Sequence, residues 1–364
     1  MFNYVLRLLS IIILGLICNV VRAEISSQTL GLLINVNDPE SVKIGEYYKR
    51  VRAIPDENII FLNFKSGVDA LSEVEFSKIN NQLKAKVPDR LQAYALAWRK
   101  PWKVGCMSVT SAFTFGYDER YCSEGCVKTK ATNYFNSESI EPYTDYKMRP
   151  SMLLSSDSYE GVKRLIDTGE KADYLRPNGT AYLLSTSDES RNVRSLYYPY
   201  IKSLFNALIE VELFDADAVI HKSDVLFYFT GSAKVKGIAT NKFLPGAIAD
   251  HLTSSGGHLF GGRQMSVLEW IKAGATASYG TVVEPCNFTQ KFPNPVIVMK
   301  YYLTGSRLIE AYWKSVQMPG QGVFVGEPLA SPFRECEFKL LRGRYEFIEH
   351  AVDNYVVRSA RNCH

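Results

Sequence analysis

The sequence predicts an α/β fold with a mostly parallel, Rossmann-like sheet flanked by helices. Three observations lead to this prediction. Short apolar runs of strand length recur along the chain, helical segments separate them, and the first elements follow the order β-α-β-α-β. Because helical crossovers join parallel neighbours with a right-handed turn, this order favours a parallel sheet.

The first unit begins at residues 30–36 (LGLLINV), a continuous apolar run typical of a strand buried on both faces. Asp38 and Pro39 then have the residue types of a helix N-cap and first helical position, and we expect this helix to end near residue 52. A second strand, an amphipathic helix and a third strand are predicted at residues 58–64, 71–87 and 93–98.

Residues 100–150 interrupt this alternation with a segment rich in Cys, Tyr, Thr, Ser and Asn. We interpret it as an insertion near the carboxyl edge of the third strand, the usual functional edge of such sheets. The alternation then resumes, with strands predicted at 151–155, 181–185, 225–230, 275–283 and 322–325, and helices at 159–167, 191–212, 265–273, 296–302 and 307–316. No repeat or linker is evident, so residues 24–335 are predicted to form one domain, with 336–364 as a C-terminal extension.

Residues 1–23 have the layout of a secretory signal peptide. Arg7 precedes an apolar run over residues 8–21, and Val21-Arg22-Ala23 resembles a cleavage site. An uncleaved anchor is the alternative, although the apolar run is short for a membrane span. No later segment is of membrane-spanning length, so we expect a periplasmic or secreted protein with no stable span after cleavage.

Cleavage after Ala23 is a testable prediction. N-terminal sequencing of the exported protein should begin at Glu24. A mature chain that begins at Met1 would contradict it.

The charge of the chain favours neither nucleic acid nor an anionic membrane surface as a partner. The formal net charge is +4, and removal of Arg7 and Arg22 with the signal peptide lowers it by 2 to +2. No cofactor is predicted, since GQGVFVG at 320–326 lacks the spacing and the Lys-Ser/Thr pair of a phosphate-binding loop.

The cysteines indicate disulfides rather than a metal site. Cys18 lies in the signal peptide, and the six others lie at positions 106, 122, 126, 286, 336 and 363. In an oxidising compartment such cysteines usually pair, so we predict at least one disulfide among Cys106, Cys122 and Cys126. Zinc is the weaker alternative because no second pair of ligands follows at a suitable spacing, and no metal site is predicted.

Two segments contain candidate catalytic residues. FLPGAIADHLTSSGG at 243–257 places Asp250 and His251 before a glycine-rich turn, and GATASYGTVVEPC at 274–286 ends in Glu284-Pro285-Cys286. A cysteine after a parallel strand is well placed as a nucleophile, and a histidine on an adjoining loop could accept its proton. Asp250 or Glu284 could orient the imidazole. The structural alternative is a buried, hydrogen-bonded His251 and a buried or disulfide-bonded Cys286.

With these segments the chain resembles a family of exported bacterial proteins found in species that carry exosortase. The matching stretches are NVNDPESVKIGEYYKRVRAIP, GCMSVTSAFTFGYD, FLPGAIADHLTSSGG, GATASYGTVVEPC and LIEAYWKSVQMPGQGVFVGEPLA. A more distant resemblance, through VLFYFTG at 225–231 and the later strand that ends in cysteine, is to caspase- and gingipain-type cysteine peptidases. In that class a His-Gly pair follows the strand directly, whereas here Gly231 is followed by Ser232-Ala233-Lys234.

The two resemblances imply different functions. The first implies an accessory protein linked to exosortase-type protein sorting or exopolysaccharide export, which binds a protein or polysaccharide of the cell envelope. The second implies a cysteine hydrolase or peptidase that uses a Cys286–His251 dyad. We favour the partner-binding function and keep the hydrolase as the alternative.

Overall fold

The computed structural model of the chain describes residues 24–123 and 125–334, and the backbone of 337–341 and 344–348. The predicted signal peptide with its cleavage site, and most of the predicted extension 336–364, lie outside the described residues.

The described strands form one large sheet, one small sheet and a hairpin. They are β1 (Leu30–Asn35), β2 (Ile59–Leu62), β3 (Ala70–Leu71), β4 (Ala93–Leu96), β5 (Lys103–Val104), β6 (Met107–Ser108), β7 (Ser151–Leu153), β8 (Thr180–Ser185), β9 (Glu210–Asp215), β10 (Val225–Gly231), β11 (Phe243–Leu252), β12 (Ala277–Thr281), β13 (Gly322–Gly326), β14 (Glu337–Leu341) and β15 (Arg344–Ile348). The large sheet has ten strands in the order β2-β1-β4-β7-β13-β12-β11-β10-β8-β9. Strands β3, β5 and β6 form the small sheet, and β14 pairs with β15.

The large sheet consists of two parallel halves that run in opposite directions. Its neighbouring strands pair in parallel except β12 and β13, which are antiparallel. The carboxyl ends of β11 and β12 therefore lie at the same edge as the amino end of β13, where Thr281 pairs with Gly322. The predicted α/β class and mostly parallel sheet are confirmed.

Helices cover both faces of this sheet. They are α1 (Pro39–Arg52), α2 (Glu73–Lys84), α3 (Val109–Phe115), α4 (Pro142–Tyr146), α5 (Tyr159–Ala172), α6 (Tyr198–Phe205), α7 (Leu268–Ala273), α8 (Pro295–Leu303) and α9 (Leu308–Ser315). As predicted, Asp38 caps α1, accepting a hydrogen bond from the Glu40 backbone N–H, and Pro39 follows it. None of the helices in the described residues is both long enough and apolar enough to cross a membrane.

The core lies on both faces because successive strand residues point to opposite sides. On one face, residues of α1, α5, α6, α8 and α9 pack with one set of strand side chains, such as Leu32 and Phe324. On the other face, α2, α3 and α7 pack with the alternate set, such as Leu33 and Val325. Strands buried on both faces explain the continuous apolar runs in the sequence.

Two of the predicted elements differ in the structure. The helix predicted over 191–212 is a 3-10 helix (Asn192–Tyr197) followed by α6, and its last residues form the edge strand β9. The segment around His251, predicted as a loop, is the ten-residue strand β11. Pro245 and Gly246 obscure this strand in the sequence, since Gly246 has φ 89° within an irregular stretch of its pairing with β10.

The insertion predicted at 100–150 follows the carboxyl end of β4 and returns to the amino end of β7. It contains β5, β6, α3 and α4, and α3 packs against β7 and β13. A disulfide between Cys106 and Cys122 closes part of it, and a second disulfide joins Cys126 to Cys286. The prediction of at least one disulfide among Cys106, Cys122 and Cys126 is confirmed, and disulfides fit the oxidising compartment expected for an exported protein.

Candidate functional site

The predicted site residues lie in the half of the sheet formed by β8–β12. His251 and Asp250 lie near the carboxyl end of β11, and Glu284 and Cys286 follow the carboxyl end of β12, its neighbour. The topology thus places both sequence segments along one region of the sheet, as expected for the carboxyl edge of parallel strands.

Cys286 forms a disulfide with Cys126, and their Cα atoms are 5.1 Å apart. Its backbone N–H donates to Glu284 Oε1 at 2.9 Å, so these two predicted residues are in contact. Cys286 and Asn287 have φ angles of 55° and 52°. These lie in the left-handed region, which residues other than Gly, Asn and Asp rarely adopt. This sharp turn after Pro285 is part of the geometry that joins β12 to the insertion.

His251 is buried, and both of its ring nitrogens have hydrogen-bond partners. The Trp270 Nε1–H donates to Nδ1 at 2.9 Å, and Nε2 lies 3.0 Å from the Met265 carbonyl oxygen. Because the indole N–H is only a donor, Nδ1 must be the acceptor and Nε2 must carry the proton that bonds Met265. Burial lowers the pKa of His251 to about 4, so the imidazole is neutral at pH 7.

Asp250 does not orient His251, because adjacent residues of a strand point to opposite faces of the sheet. Its carboxylate lies on the other face, where Oδ1 accepts from an Arg194 terminal nitrogen at 2.5 Å. The same guanidinium donates to the carbonyl oxygens of Thr230 at 2.9 Å and Pro293 at 3.2 Å. Burial raises the pKa of Asp250, and the Arg194 charge opposes that shift.

The structure therefore brings Glu284 and Cys286 together but does not assemble the predicted dyad. In this state Cys286 has no free thiol, since its sulfur is bonded to Cys126. His251 has no ring nitrogen free to accept a proton, because Trp270 and Met265 occupy both. The structural alternative for each residue, a hydrogen-bonded core histidine and a disulfide-bonded cysteine, describes this geometry.

Two pockets adjoin this edge, and both are lined by residues of the segments 190–197 and 284–294. The first, which we call the disulfide pocket, has a volume of about 400 Å³ and is lined by Cys126, Ser190, Arg191, Ser254, Glu284, Cys286 and Asn287. The second, the Arg194 pocket, has about 130 Å³ and is lined by Phe135, Arg194, Tyr197, Thr289, Gln290, Phe292, Pro293, Asn294, Ser315 and Gln317.

Hydrogen-bonded polar side chains line the disulfide pocket. Arg191 donates to Thr253 Oγ1 at 3.0 Å and to Asp188 Oδ2 at 2.9 Å. These contacts hold the Arg191 guanidinium beside the pocket. Glu284 also lines the pocket. Among the described residues no group of three or more His, Cys, Asp or Glu side chains is arranged to hold a metal ion.

The sequence did not reveal that Arg194 and Lys291 are buried. Arg194 looks like a surface residue of a helix start, yet its side chain is 2% exposed and paired with Asp250. A lone acid in the apolar strand AIADHL is the signal that a buried cation must exist elsewhere. Lys291 is fully buried, its ammonium has no hydrogen-bond partner in the described structure, and burial lowers its pKa to about 8.

The chain has few detectable similarities to known proteins. No family model matches the sequence, and no curated protein is similar to it. A solved structure of a protease superposes with a TM-score of 0.44 and 11% sequence identity, over 88% of this chain and 82% of its own.

Proposed function

We propose that the protein is an exported, non-catalytic binding protein of the cell envelope, whose ligand occupies the two pockets at the carboxyl edge of β8–β12. The Cys126–Cys286 disulfide is the observation that carries this proposal. It removes the thiolate that catalysis would need, because only the thiolate is nucleophilic. It also ties this edge to the insertion, which favours a preformed binding surface.

The chemistry of the pockets supports a polar, extended ligand. The disulfide pocket offers hydroxyl, amide, guanidinium and carboxylate groups, whereas the Arg194 pocket adds the aromatic rings of Phe135, Tyr197 and Phe292. Convergent polar groups beside aromatic surfaces can bind sugar rings or a peptide. This chemistry supports the partner class proposed from the sequence, a protein or polysaccharide of the envelope.

The cellular context of this function is proposed from the sequence resemblance. Residues 243–257 and 274–286, which resemble exported proteins of exosortase-carrying species, are the same segments that build the edge with the pockets. An accessory role in exosortase-type sorting or exopolysaccharide export would use this edge to hold the exported protein or polymer.

A thiol hydrolase that acts only when the disulfide is reduced is the second candidate. Its support is that Cys286 lines an open pocket next to Glu284 and Arg191, where a released thiol would meet substrate. For His251 to act as its base, the ring would have to leave Trp270 or Met265.

A Cys126→Ser variant separates the two candidates, since it frees Cys286 and leaves Cys106–Cys122 intact. We expect iodoacetamide to label Cys286 in this variant with a thiol pKa near the ordinary value of ~8.5, unchanged by an added His251→Gln substitution. We also expect no hydrolysis of a peptide library. Wild-type protein without reductant is the control, and its Cys286 should stay unlabelled. Hydrolysis that is lost on Cys286→Ser or His251→Gln would establish the hydrolase instead.

Binding can be tested by hydrogen–deuterium exchange of the oxidised protein with exopolysaccharide purified from the producing bacterium, and with its total exported proteins. Protection is expected in 190–197 and 284–294. Arg191→Ala should weaken binding about tenfold, whereas Arg99→Ala, whose side chain is equally exposed at 24%, should have no effect. If neither preparation protects these segments, the proposed binding edge is refuted.

A further inference from the structure

An apolar stripe runs along α6, the 3-10 helix before it and the turn after it. Leu196, Tyr200, Leu204 and Leu208 are 67%, 57%, 44% and 63% exposed. Tyr200 and Leu204 are four residues apart in α6, so they lie one above the other on the same helix face. Leu196, in the 3-10 helix, and Leu208, in the turn after α6, flank them in the sequence. The other side of α6 is buried through Tyr198, Ile201 and Phe205, so Tyr200 and Leu204 form a second apolar face of the same helix.

The edge strand β9 extends this stripe. Leu213 is 40% exposed and pairs in register with Leu183, whose side chain belongs to the core on the α6 side of the sheet. Together the five residues form what we call the α6 patch. It contains five of the eleven large apolar side chains that are exposed in the described part of the chain.

The part of the patch contributed by α6 and its flanking segments is uncharged. Between Arg194 and Glu210 the only charged residue is Lys202. Lys202 lies two residues from both Tyr200 and Leu204, and residues two apart on a helix do not face each other. Ser203, which lies three residues from Tyr200 in α6, is small and uncharged, and so is Ala207 in the turn that follows. A helix that faces only solvent normally has charged residues on its outer face.

We propose that the α6 patch is the interface of a two-fold symmetric dimer, in which α6 of one copy packs antiparallel against α6 of the other. If the five side chains became fully covered, two copies would bury on the order of 1,000 Å², since Leu is somewhat smaller than the 150–250 Å² of an aromatic residue. This is about the lower size expected of a specific interface. An uncharged stripe is compatible with itself, and a two-fold contact is the commonest symmetry of homo-oligomers.

The charges nearby favour helix packing over the other ways of covering this surface. Edge strand β9 carries Glu210, Glu212 and Asp215, so direct pairing of β9 with a second β9 would bring like charges together. A membrane-surface helix would need several Lys or Arg residues beside its apolar face, and this helix has only Lys202.

Sedimentation velocity of the oxidised, exported protein from 1 to 100 µM tests the proposal. The wild-type protein should be a dimer in this range, and Leu204→Glu/Leu208→Glu should raise the dissociation constant at least tenfold. Val74→Glu is the matched control, because Val74 is a 68% exposed apolar helix residue outside the patch, and this variant should dimerise like wild type. Far-UV circular dichroism should show all three proteins equally folded, since the substituted side chains are exposed.

The dimer is refuted if the wild-type protein is a monomer at 100 µM, or if the double variant dimerises as tightly as the control. A full chain that is monomeric while a chain ending at Arg334 dimerises would show that residues 335–364 cover the patch instead, which also overturns the proposal. None of these outcomes depends on whether a ligand binds the two pockets at the carboxyl edge of β8–β12.

Discussion

Replacing both cysteines of the Cys126–Cys286 disulfide with alanine is expected to lower the free energy of unfolding by about 5 kcal/mol. The bond joins residues 160 positions apart, so it restricts a very long loop of the unfolded chain. Alanine leaves the backbone requirement at position 286 unchanged, because neither cysteine nor alanine favours its φ of 55°.

The Cys106→Ala/Cys122→Ala variant is the matched control, because its disulfide joins residues only 16 positions apart. The chain-entropy relation predicts that its removal lowers the free energy of unfolding by about 2 kcal/mol less than removal of Cys126–Cys286. Equilibrium unfolding in guanidinium chloride without reductant measures both. Equal losses, or a larger loss in the control, would show that constraint of the unfolded chain is not the main contribution of these bonds.

Lowering the pH from 7 to 4 is expected to destabilise the protein by about 3 kcal/mol through His251 alone. The folded pKa of His251 is about 4, below the ~6.5 of an imidazole in the unfolded chain. The neutral ring thus contributes its full stability above pH 6.5. That contribution falls as the pH drops toward 4, because the imidazole becomes protonated in the unfolded chain while the buried ring stays mostly neutral.

Urea unfolding of wild type and His251→Gln at several pH values between 7 and 4 measures this contribution. The variant should be less stable at pH 7 and should lose about 3 kcal/mol less than wild type over the range. His221→Gln, which replaces an exposed histidine, should keep the wild-type pH dependence. If His251→Gln and wild type lose stability in parallel, His251 is not a neutral core residue, and its role as a base regains support.

The Arg194–Asp250 pair shows how a sequence motif can belong to the core rather than to a site. The adjacent residues Asp250 and His251 suggest an acid that orients a base. In strand β11, however, their side chains point to opposite faces of the sheet. Asp250 Oδ2 and Arg194 Nε have no partners among the described residues, so this buried pair is only partly satisfied. Removing one member of such a pair typically costs about 3–5 kcal/mol, because the other charge stays buried.

The sequence by itself determined the α/β class, most of the strands and helices, the Asp38 cap and the disulfide character of the cysteine cluster. These features depend on neighbouring residues, because apolar period, caps and composition are local properties. Only the tertiary structure decided the antiparallel contact of β12 with β13, the bond of Cys126 to Cys286, and the partners of His251 and Asp250. Trp270 lies 19 positions from His251, and Arg194 lies 56 from Asp250. Which distant residues meet depends on the order of strands in the sheet, and no local pattern in the sequence encodes that order.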